Sequence, residues 1–298
     1  MRIRQSGKIC DGLWFLGRKE SCVYLLEGSK ESMIISGGMG YLVPDLLKQF
    51  DEFNIDKTRI KKLLILHCHF DHVGVIPFMK RRHPDMTIYG SARAWEILRM
   101  PKAISTINEY SRDVAGQMGM EEACSTYDME WRDDITGEVV SEGDIIDLGD
   151  LWGRIYETPG HSSCAVSFYV PQFKALFPSD SGGIPFGNTI ITSGNSNFTK
   201  YQESLEKLKD LEVEYYCADH YGYVSGDEAS TFMEESIHIA KGYRALMERT
   251  YLRTGGIDSA AKEIVNGFYQ QNADYFLTRE IMEGVQRQMV RHIAEALE

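Results

Sequence analysis

The sequence predicts an α+β protein built as a four-layer αβ/βα sandwich, in which helices cover the outer faces of two β-sheets, followed by a C-terminal helical extension. Two observations support this fold class. Short apolar runs separated by turn residues occur in both halves of the first 225 residues, and each half also contains helical patterns. Beyond residue 226 every periodic segment is helical, and the short linker before it favours an extension over an independent domain.

The first half opens with three predicted strands, GLWFLG, SCVYLLEG and SMIISGG, which we expect to form an antiparallel meander. A helix is predicted over 43–53, and the apolar run KKLLIL then predicts a buried strand that leads into a group of histidines. Helices at about 75–82 and 92–98 flank the strand MTIYG. The segment at about 101–140 is polar and irregular apart from one predicted helix, and we interpret it as an insertion.

The second half contains four predicted strands, DIIDLG, LWGRIYETPG, CAVSFYV and KALFPSD, then a helix at about 200–210 and a last strand, EVEYYCADH. These elements complete a predicted domain of residues 1–225. Residues 226–298 are predicted to form a helical cap or extension, with helices at about 227–252, 258–270 and 278–297.

The composition of the chain restricts the kinds of molecule that we expect it to bind. The formal net charge of −12 and the pI near 5.2 argue against nucleic acid, because binding to phosphates depends on clustered Lys and Arg side chains. No apolar window approaches a membrane span or a signal peptide, and the six cysteines include no CxxC pair, which favours reduced thiols. We therefore expect a cytoplasmic protein that acts on a small molecule and does not associate with membranes; a homodimer is left open.

The stretch LILHCHFDHVG (64–74) places three of the eight histidines within six positions. His67 and His69 are two residues apart at a strand end, so their side chains can point to the same side. Asp71 and His72 follow where the backbone leaves the sheet and can point in another direction. The stretch therefore predicts two metal half-sites.

Three further candidate ligands follow predicted strands: His161 after ETPG, Asp180 at the end of ALFPSD, and His220 at the end of EYYCADH. Strand exits of a sandwich can meet at one rim. Five imidazoles and two carboxylates would then gather from four separate segments, and borderline divalent metals favour this set of ligands.

In residue type and order, these seven positions resemble the metal-binding motif of the metallo-β-lactamase superfamily, over roughly residues 10–225. The resemblance implies one metal held by three histidines, a second held by an aspartate and two histidines, and a bridging aspartate. In that order, the implied ligands are His67, His69 and His161; Asp71, His72 and His220; and Asp180.

The resemblance implies a hydrolase that uses a metal-bridging hydroxide on a small ester or thioester, such as an acyl-CoA, with Asp71 and Asp180 as the catalytic carboxylates. Zinc is favoured for the two divalent ions, with iron or manganese as alternatives. The overall layout is most similar to quinolone-signal response thioesterases of this superfamily, which implies that the helical tail caps the metal rim and selects an acyl substrate.

Three alternative activities remain open. Lactonases of the superfamily usually carry tyrosine where this chain has Gly183; Tyr221 and Tyr223 are candidate substrate contacts in its place, or they pack in the core. A non-heme diiron oxygen or redox sensor is suggested by Cys68 within the cluster, although flavodiiron relatives usually have glutamate where this chain has His69. A phosphodiesterase comes last because of the negative net charge of the chain.

Members of the family often carry aspartate near the position of Ser36. Because this chain has serine there, a hydrogen bond that would support the metal ligands is in question.

Overall fold

In the computed structural model, which describes residues 1–273, 275 and 277–297, two seven-stranded sheets pack face to face. The core between them contains aromatic side chains from both sheets; the ring centroids of Tyr24 and Phe177, for example, lie 5.4 Å apart. Two further apolar clusters fill the space between each sheet and its outer helices. The predicted four-layer sandwich is confirmed.

The first sheet is antiparallel in its first half and parallel in its second half. The parallel pairs require crossover connections, which are helical here. Its strands in spatial order are β2 (Gly7–Cys10), β3 (Leu13–Arg18), β4 (Ser21–Glu27), β5 (Ser32–Ile35), β6 (Ile60–Leu64), β7 (Thr87–Ser91) and β8 (Glu138–Val140).

The second sheet is antiparallel except for one parallel pair, β12 with β15. Its strands in spatial order are β1 (Arg2–Ile3), β16 (Tyr223–Ser225), β15 (Tyr215–Cys217), β12 (Ala175–Phe177), β11 (Val166–Val170), β10 (Trp152–Glu157) and β9 (Ile145–Asp147). A separate hairpin pairs β13 (Ile184–Phe186) with β14 (Thr189–Ile191). This hairpin was not predicted, although a Gly-Asn turn signal lies between its two apolar runs.

The helices form three groups: those that cover the first sheet, one that covers the second sheet, and the C-terminal extension. They are α1 (Val43–Glu52), α2 (Phe70–Val73), α3 (Ile76–Arg82), α4 (Ala92–Ile97), α5 (Pro101–Gln117) and α6 (Glu121–Thr126); α7 (Phe198–Leu208); and α8 (Asp227–Thr254), α9 (Ile257–Gln271) and α10 (Arg279–Glu295).

Local sequence explains several helix boundaries. Side chains at the N-terminal ends of α4, α7 and α10 accept hydrogen bonds from backbone N–H groups, and the capping residues are Ser91, Asn197 and Thr278. Helix α8 ends at Gly255, whose φ of 70° is a left-handed conformation that glycine adopts without strain.

The segment at about 101–140 forms α5, α6 and β8, and β8 extends the first sheet beside β7. The C-terminal helices pack against α7 and the second sheet within one apolar cluster. Among the helices of the described residues, none combines the length and the hydrophobicity needed to cross a bilayer.

Candidate metal centre

All seven candidate ligands lie just beyond the C-terminal ends of strands. They come from four segments, which follow β6, β10, β12 and β15. His67 and His69 precede α2, Asp71 and His72 lie within it, and the remaining positions are His161, Asp180 and His220.

A glycine-rich turn holds α2 against the first sheet. The backbone N–H of Gly37 donates to the His72 carbonyl, and the N–H of Gly74 donates to the Gly38 carbonyl. A Cβ atom on Gly74 would lie 2.1 Å from the backbone nitrogen of Gly40, so this close approach requires glycine. The glycine-rich turn SGGMG (36–40) therefore positions the helix that carries Asp71 and His72.

The first ligand group consists of three imidazoles. The Nδ1 atom of His69 lies 3.1 Å from Nε2 of His67 and 3.0 Å from Nε2 of His161. These three nitrogens lie close enough together to hold one metal ion.

The second ligand group consists of Asp71, His72 and His220. The Nε2 atoms of the two histidines lie 3.3 Å apart, and each lies 3.5 Å from Oδ2 of Asp71. This group also has the dimensions of a metal site.

Asp180 lies between the two groups. Its Oδ2 atom is 3.5 Å from Nε2 of His161 in the first group and 3.5 Å from Nε2 of His72 in the second. Its Oδ1 atom is buried and has no hydrogen-bond partner among the described residues. A buried carboxylate oxygen of this kind is costly without a cation.

Hydrogen bonds at the outer ring nitrogens fix the tautomers. The Nδ1–H groups of His161 and His220 donate to backbone carbonyls, which only accept, and Nδ1–H of His72 donates to the Asp219 carboxylate. Nδ1–H of His67 donates to Ser179. When these four imidazoles are neutral, the lone pair of each Nε2 atom points into the site, toward the other imidazoles and the carboxylates. This donor set fits two divalent cations.

Metal binding requires neutral histidines and ionised carboxylates, and the pKa shifts in the first group and at Asp180 favour these charge states. Burial, together with neighbouring imidazoles, lowers the pKa of His67, and it lowers the pKa of His69 to about 3. Burial by itself would raise the pKa of Asp180, but the imidazoles of His220 and His72 outweigh it and hold that pKa below its usual range.

Asp71 is likewise ionised, because His72 and His220 outweigh burial and lower the pKa of its carboxyl. The same attraction acts in the opposite direction on the imidazoles: burial would lower the pKa of His72 and of His220, but the carboxylates of Asp71 and Asp180 raise both. We therefore expect protons to compete with metal ions for the second group.

Asp219 supports both groups, and it was not predicted. Its Oδ2 atom accepts hydrogen bonds from Nδ1 of His72 and from the hydroxyls of Ser36 and Ser179. Because Ser179 in turn accepts from His67, one carboxylate orients one histidine in each group.

The chain matches the model of the metallo-beta-lactamase superfamily over residues 17–220. It belongs to this superfamily. Among curated relatives, it is 26% identical over 166 residues to a hydroxyacylglutathione hydrolase from Bradyrhizobium sp., covering 53% of this chain and 48% of the relative. It is 27% identical over 198 residues to the acyl-coenzyme A thioesterase MBLAC2 of Gallus gallus, covering 63% of this chain and 66% of the relative.

A solved structure of a metallo-beta-lactamase family protein from Thermus thermophilus superposes with a TM-score of 0.68 at 15% sequence identity, covering 97% of this chain and 95% of that one. This likeness shows the shared fold. The matched segment spans about half of the length (48%) of the Bradyrhizobium hydrolase.

The two tyrosines that follow His220 pack against other aromatic side chains. Tyr221 is buried against Phe186 and Tyr275, and Tyr223 of the second sheet packs on Phe15 of β3 in the first sheet. Neither lies on the wall of the cavity into which the metal centre opens, whereas Tyr275 of the extension does. Their predicted contact with substrate remains a proposal.

Cys68 lies next to a second cysteine. Its Sγ atom is 3.1 Å from Sγ of Cys164, and none of the metal-sized groups among the described residues includes it. The hydroxyl of Ser36 donates to Asp219. The carboxylate of Asp219, which follows β15, thus provides the supporting hydrogen bonds that the sequence left in question.

Proposed function

We propose that this chain is a binuclear metal-dependent hydrolase that cleaves a small ester or thioester, of the kind an acyl-CoA presents. The observation that carries the proposal is the position of Asp180 between two complete ligand groups, at the floor of an open cavity. A site that only stabilised the fold would have no need of a cavity beside its metals.

The relatives support the thioester bond as the target. They include hydroxyacylglutathione hydrolases and an acyl-coenzyme A thioesterase, and both kinds of enzyme are named for thioester substrates. An atrochrysone carboxyl ACP thioesterase from Aspergillus fumigatus is a third such relative, 22% identical over 196 residues. These relatives match 53–63% of this chain, and we extend the bond type to it as part of the proposal.

In this proposal one ion would be held by His67, His69 and His161, and the other by Asp71, His72 and His220; Asp180, which lies between the two groups, would contribute to both. When bound, two divalent ions supply Lewis acidity that polarises a carbonyl group and activates water near neutral pH. Zinc is the metal we favour, and its identity stays a prediction.

The chain itself supplies orientation, proton handling and exclusion of water. Asp71 is ionised and lies on the cavity wall, where it can accept a hydrogen bond from a water molecule. Tyr275 lies on the same wall; burial raises the pKa of its hydroxyl, which therefore stays protonated and can donate to a substrate oxygen. The ligands are largely buried, so the field of Asp71 and Asp180 is weakly screened.

The test is thiol release from acyl-CoA thioesters by the metal-loaded full chain, with the Asp180→Ala variant alongside. We expect turnover by the wild type, loss in the variant with the fold retained by circular dichroism, and loss after chelation that added metal reverses. Equal turnover by the variant would contradict the assigned mechanism.

The same preparation separates the alternatives. Turnover of lactones without turnover of thioesters would establish the lactonase reading, and faster hydrolysis of bis-p-nitrophenyl phosphate than of any thioester would establish a phosphodiesterase. An iron-to-oxygen absorption band that forms on aeration, without hydrolysis of any ester, would instead support the oxygen sensor.

A further inference from the structure

The metal centre opens into a cavity of about 1480 Å³. Asp71, His161, Asp180 and His220 lie on its floor. Its walls come from α5 on one side and from β14 and the helices α8, α9 and α10 on the other. Pockets for drug-sized ligands hold about 300–1,000 Å³, so this volume exceeds what a short ester needs.

The walls away from the metal ligands are mainly apolar. They include Ile107, Val114, Ile190, Ile264, Phe268 and Met289. Among the described wall residues outside the metal centre, Lys102 is the one Lys or Arg, whereas Asp113, Glu263 and Glu280 are acidic. The interior therefore favours an uncharged apolar group over an anion.

Two glycines keep part of this space open. Gly267 of α9 and Gly284 of α10 both line the cavity, and a Cβ atom built on either would meet no atom within 4 Å. Neither has a positive φ, so neither backbone conformation requires glycine. Glycine inside a helix costs stability, and here no close packing accounts for it. The volume that these positions leave free is consistent with space for a ligand.

We propose that the cavity between α5 and the C-terminal helices binds a long unbranched acyl chain, of roughly eight carbons or more, attached to the thioester carbonyl at the metal centre. This inference rests on the proposed hydrolysis at that centre. The cavity continues from the ligands themselves into the apolar walls, so a chain whose carbonyl lies at Asp180 extends between the helices. Each methylene group buried there strengthens binding.

The experiment compares acetyl, butyryl, octanoyl and dodecanoyl thioesters of CoA, which share one leaving group. For the wild type we expect kcat/KM to rise by about fourfold per added methylene group until the cavity is filled. The Gly267→Leu and Gly284→Leu variants fill the cavity from two different helices, so we expect each to lower kcat/KM for the octanoyl and dodecanoyl thioesters by a much larger factor than for the butyryl thioester.

The matched control is Gly242→Leu. Gly242 lies on α8, is exposed, is not on the cavity wall, and has open space around its Cβ position. This control carries the same change in helix propensity, and circular dichroism checks that all three variants are folded. We expect its chain-length profile to equal that of the wild type.

A binding measurement distinguishes the two proposals. The S-dodecyl and S-butyl thioethers of CoA cannot be hydrolysed, and calorimetry on the full chain gives their affinities. If the S-dodecyl thioether binds tightly and Gly267→Leu abolishes this binding, the cavity proposal is supported, whether or not any thioester is hydrolysed. Absence of hydrolysis would count against the proposed hydrolase only. Turnover that is independent of chain length and unchanged in both cavity variants would overturn the cavity proposal and leave the hydrolase standing.

Discussion

The Nδ1 atom of His72 lies 2.8 Å from Oδ2 of Asp219, a buried carboxylate outside the seven candidate ligands. The same oxygen accepts from the Ser179 hydroxyl, which accepts in turn from Nδ1 of His67. One side chain thus fixes the ring orientation of a histidine in each metal group. A change at Asp219 is therefore expected to affect both metal ions.

The Asp219→Asn variant should bind metal more weakly, by about 10- to 100-fold, because the neutral amide accepts less strongly from His72 and Ser179. The measurement is the metal content of the protein after dialysis against graded concentrations of chelator. Asp210→Asn, at an exposed position, is the control. Equal metal retention by the two variants would show that Asp219 does not orient the ligands.

The Ser36→Asp variant should be less stable than the wild type, by about 3 kcal/mol in the free energy of unfolding. Ser36 is fully buried and its hydroxyl lies 3.0 Å from Asp219, so the substitution places two carboxylates together inside the protein. The double variant Ser36→Asp with Asp219→Ser moves the charge from position 219 to position 36. Denaturant titration should show recovery of most of the lost stability; a double variant as unstable as the single one would argue against repulsion as the cause.

The candidate ligands could be selected from the sequence because they are concentrated in one short motif and at strand exits. A strongly apolar strand precedes the motif that contains His67, His69, Asp71 and His72. Helices are recognisable because their apolar residues recur with the helical period. The three helices of the extension were predicted for the same reason. Patterns of this kind depend on residues that are close in the chain.

Asp219 was missed because its role depends on contacts that are distant in sequence. It stands next to His220, and in a continuing strand neighbouring side chains would point to opposite faces. The strand instead ends at Cys217, and Tyr221 has a φ of 64°, so both side chains can reach the metal centre. Tyr275 was missed for a similar reason, since no local pattern places a residue of the extension beside the metal ligands.

The Tyr275→Phe variant should lower kcat by about 10- to 100-fold and change KM little, if the hydroxyl donates to the substrate oxygen on which charge develops. Burial raises the pKa of this hydroxyl, and Asp180 and Asp71 raise it further, so the proton is retained at neutral pH. Steady-state kinetics on octanoyl-CoA measure both constants. Tyr169→Phe, on β11 outside the cavity, controls for loss of a phenol; an equal loss of kcat in both variants would contradict the role of Tyr275.

The ion pair between Arg2 and Glu228 should give stability that depends on pH. Nε of Arg2 lies 2.7 Å from Oε1 of Glu228 in the first turn of α8, and the same guanidinium donates to the carbonyls of Gly187 and Thr189. It therefore joins the first strand, the β13–β14 hairpin and the extension. Because Glu228 is partly exposed, we expect the Glu228→Gln variant to lose at most about 1 kcal/mol at pH 7.

The direction of the pH effect follows from the pKa of Glu228. Burial by itself would raise this pKa, but the Arg2 guanidinium outweighs it and lowers the value below that of the unfolded chain. The ion pair therefore stabilises the protein above the unfolded-state pKa, and this contribution is lost as the pH falls through the lowered folded-state pKa. Calorimetric melting of wild type and Glu228→Gln should differ at pH 7 and converge as the pH falls below the lowered pKa of Glu228, with Glu234→Gln on the same helix as the control. A difference that persisted in acid would assign the effect to packing, because the charge on Glu228 would then be absent.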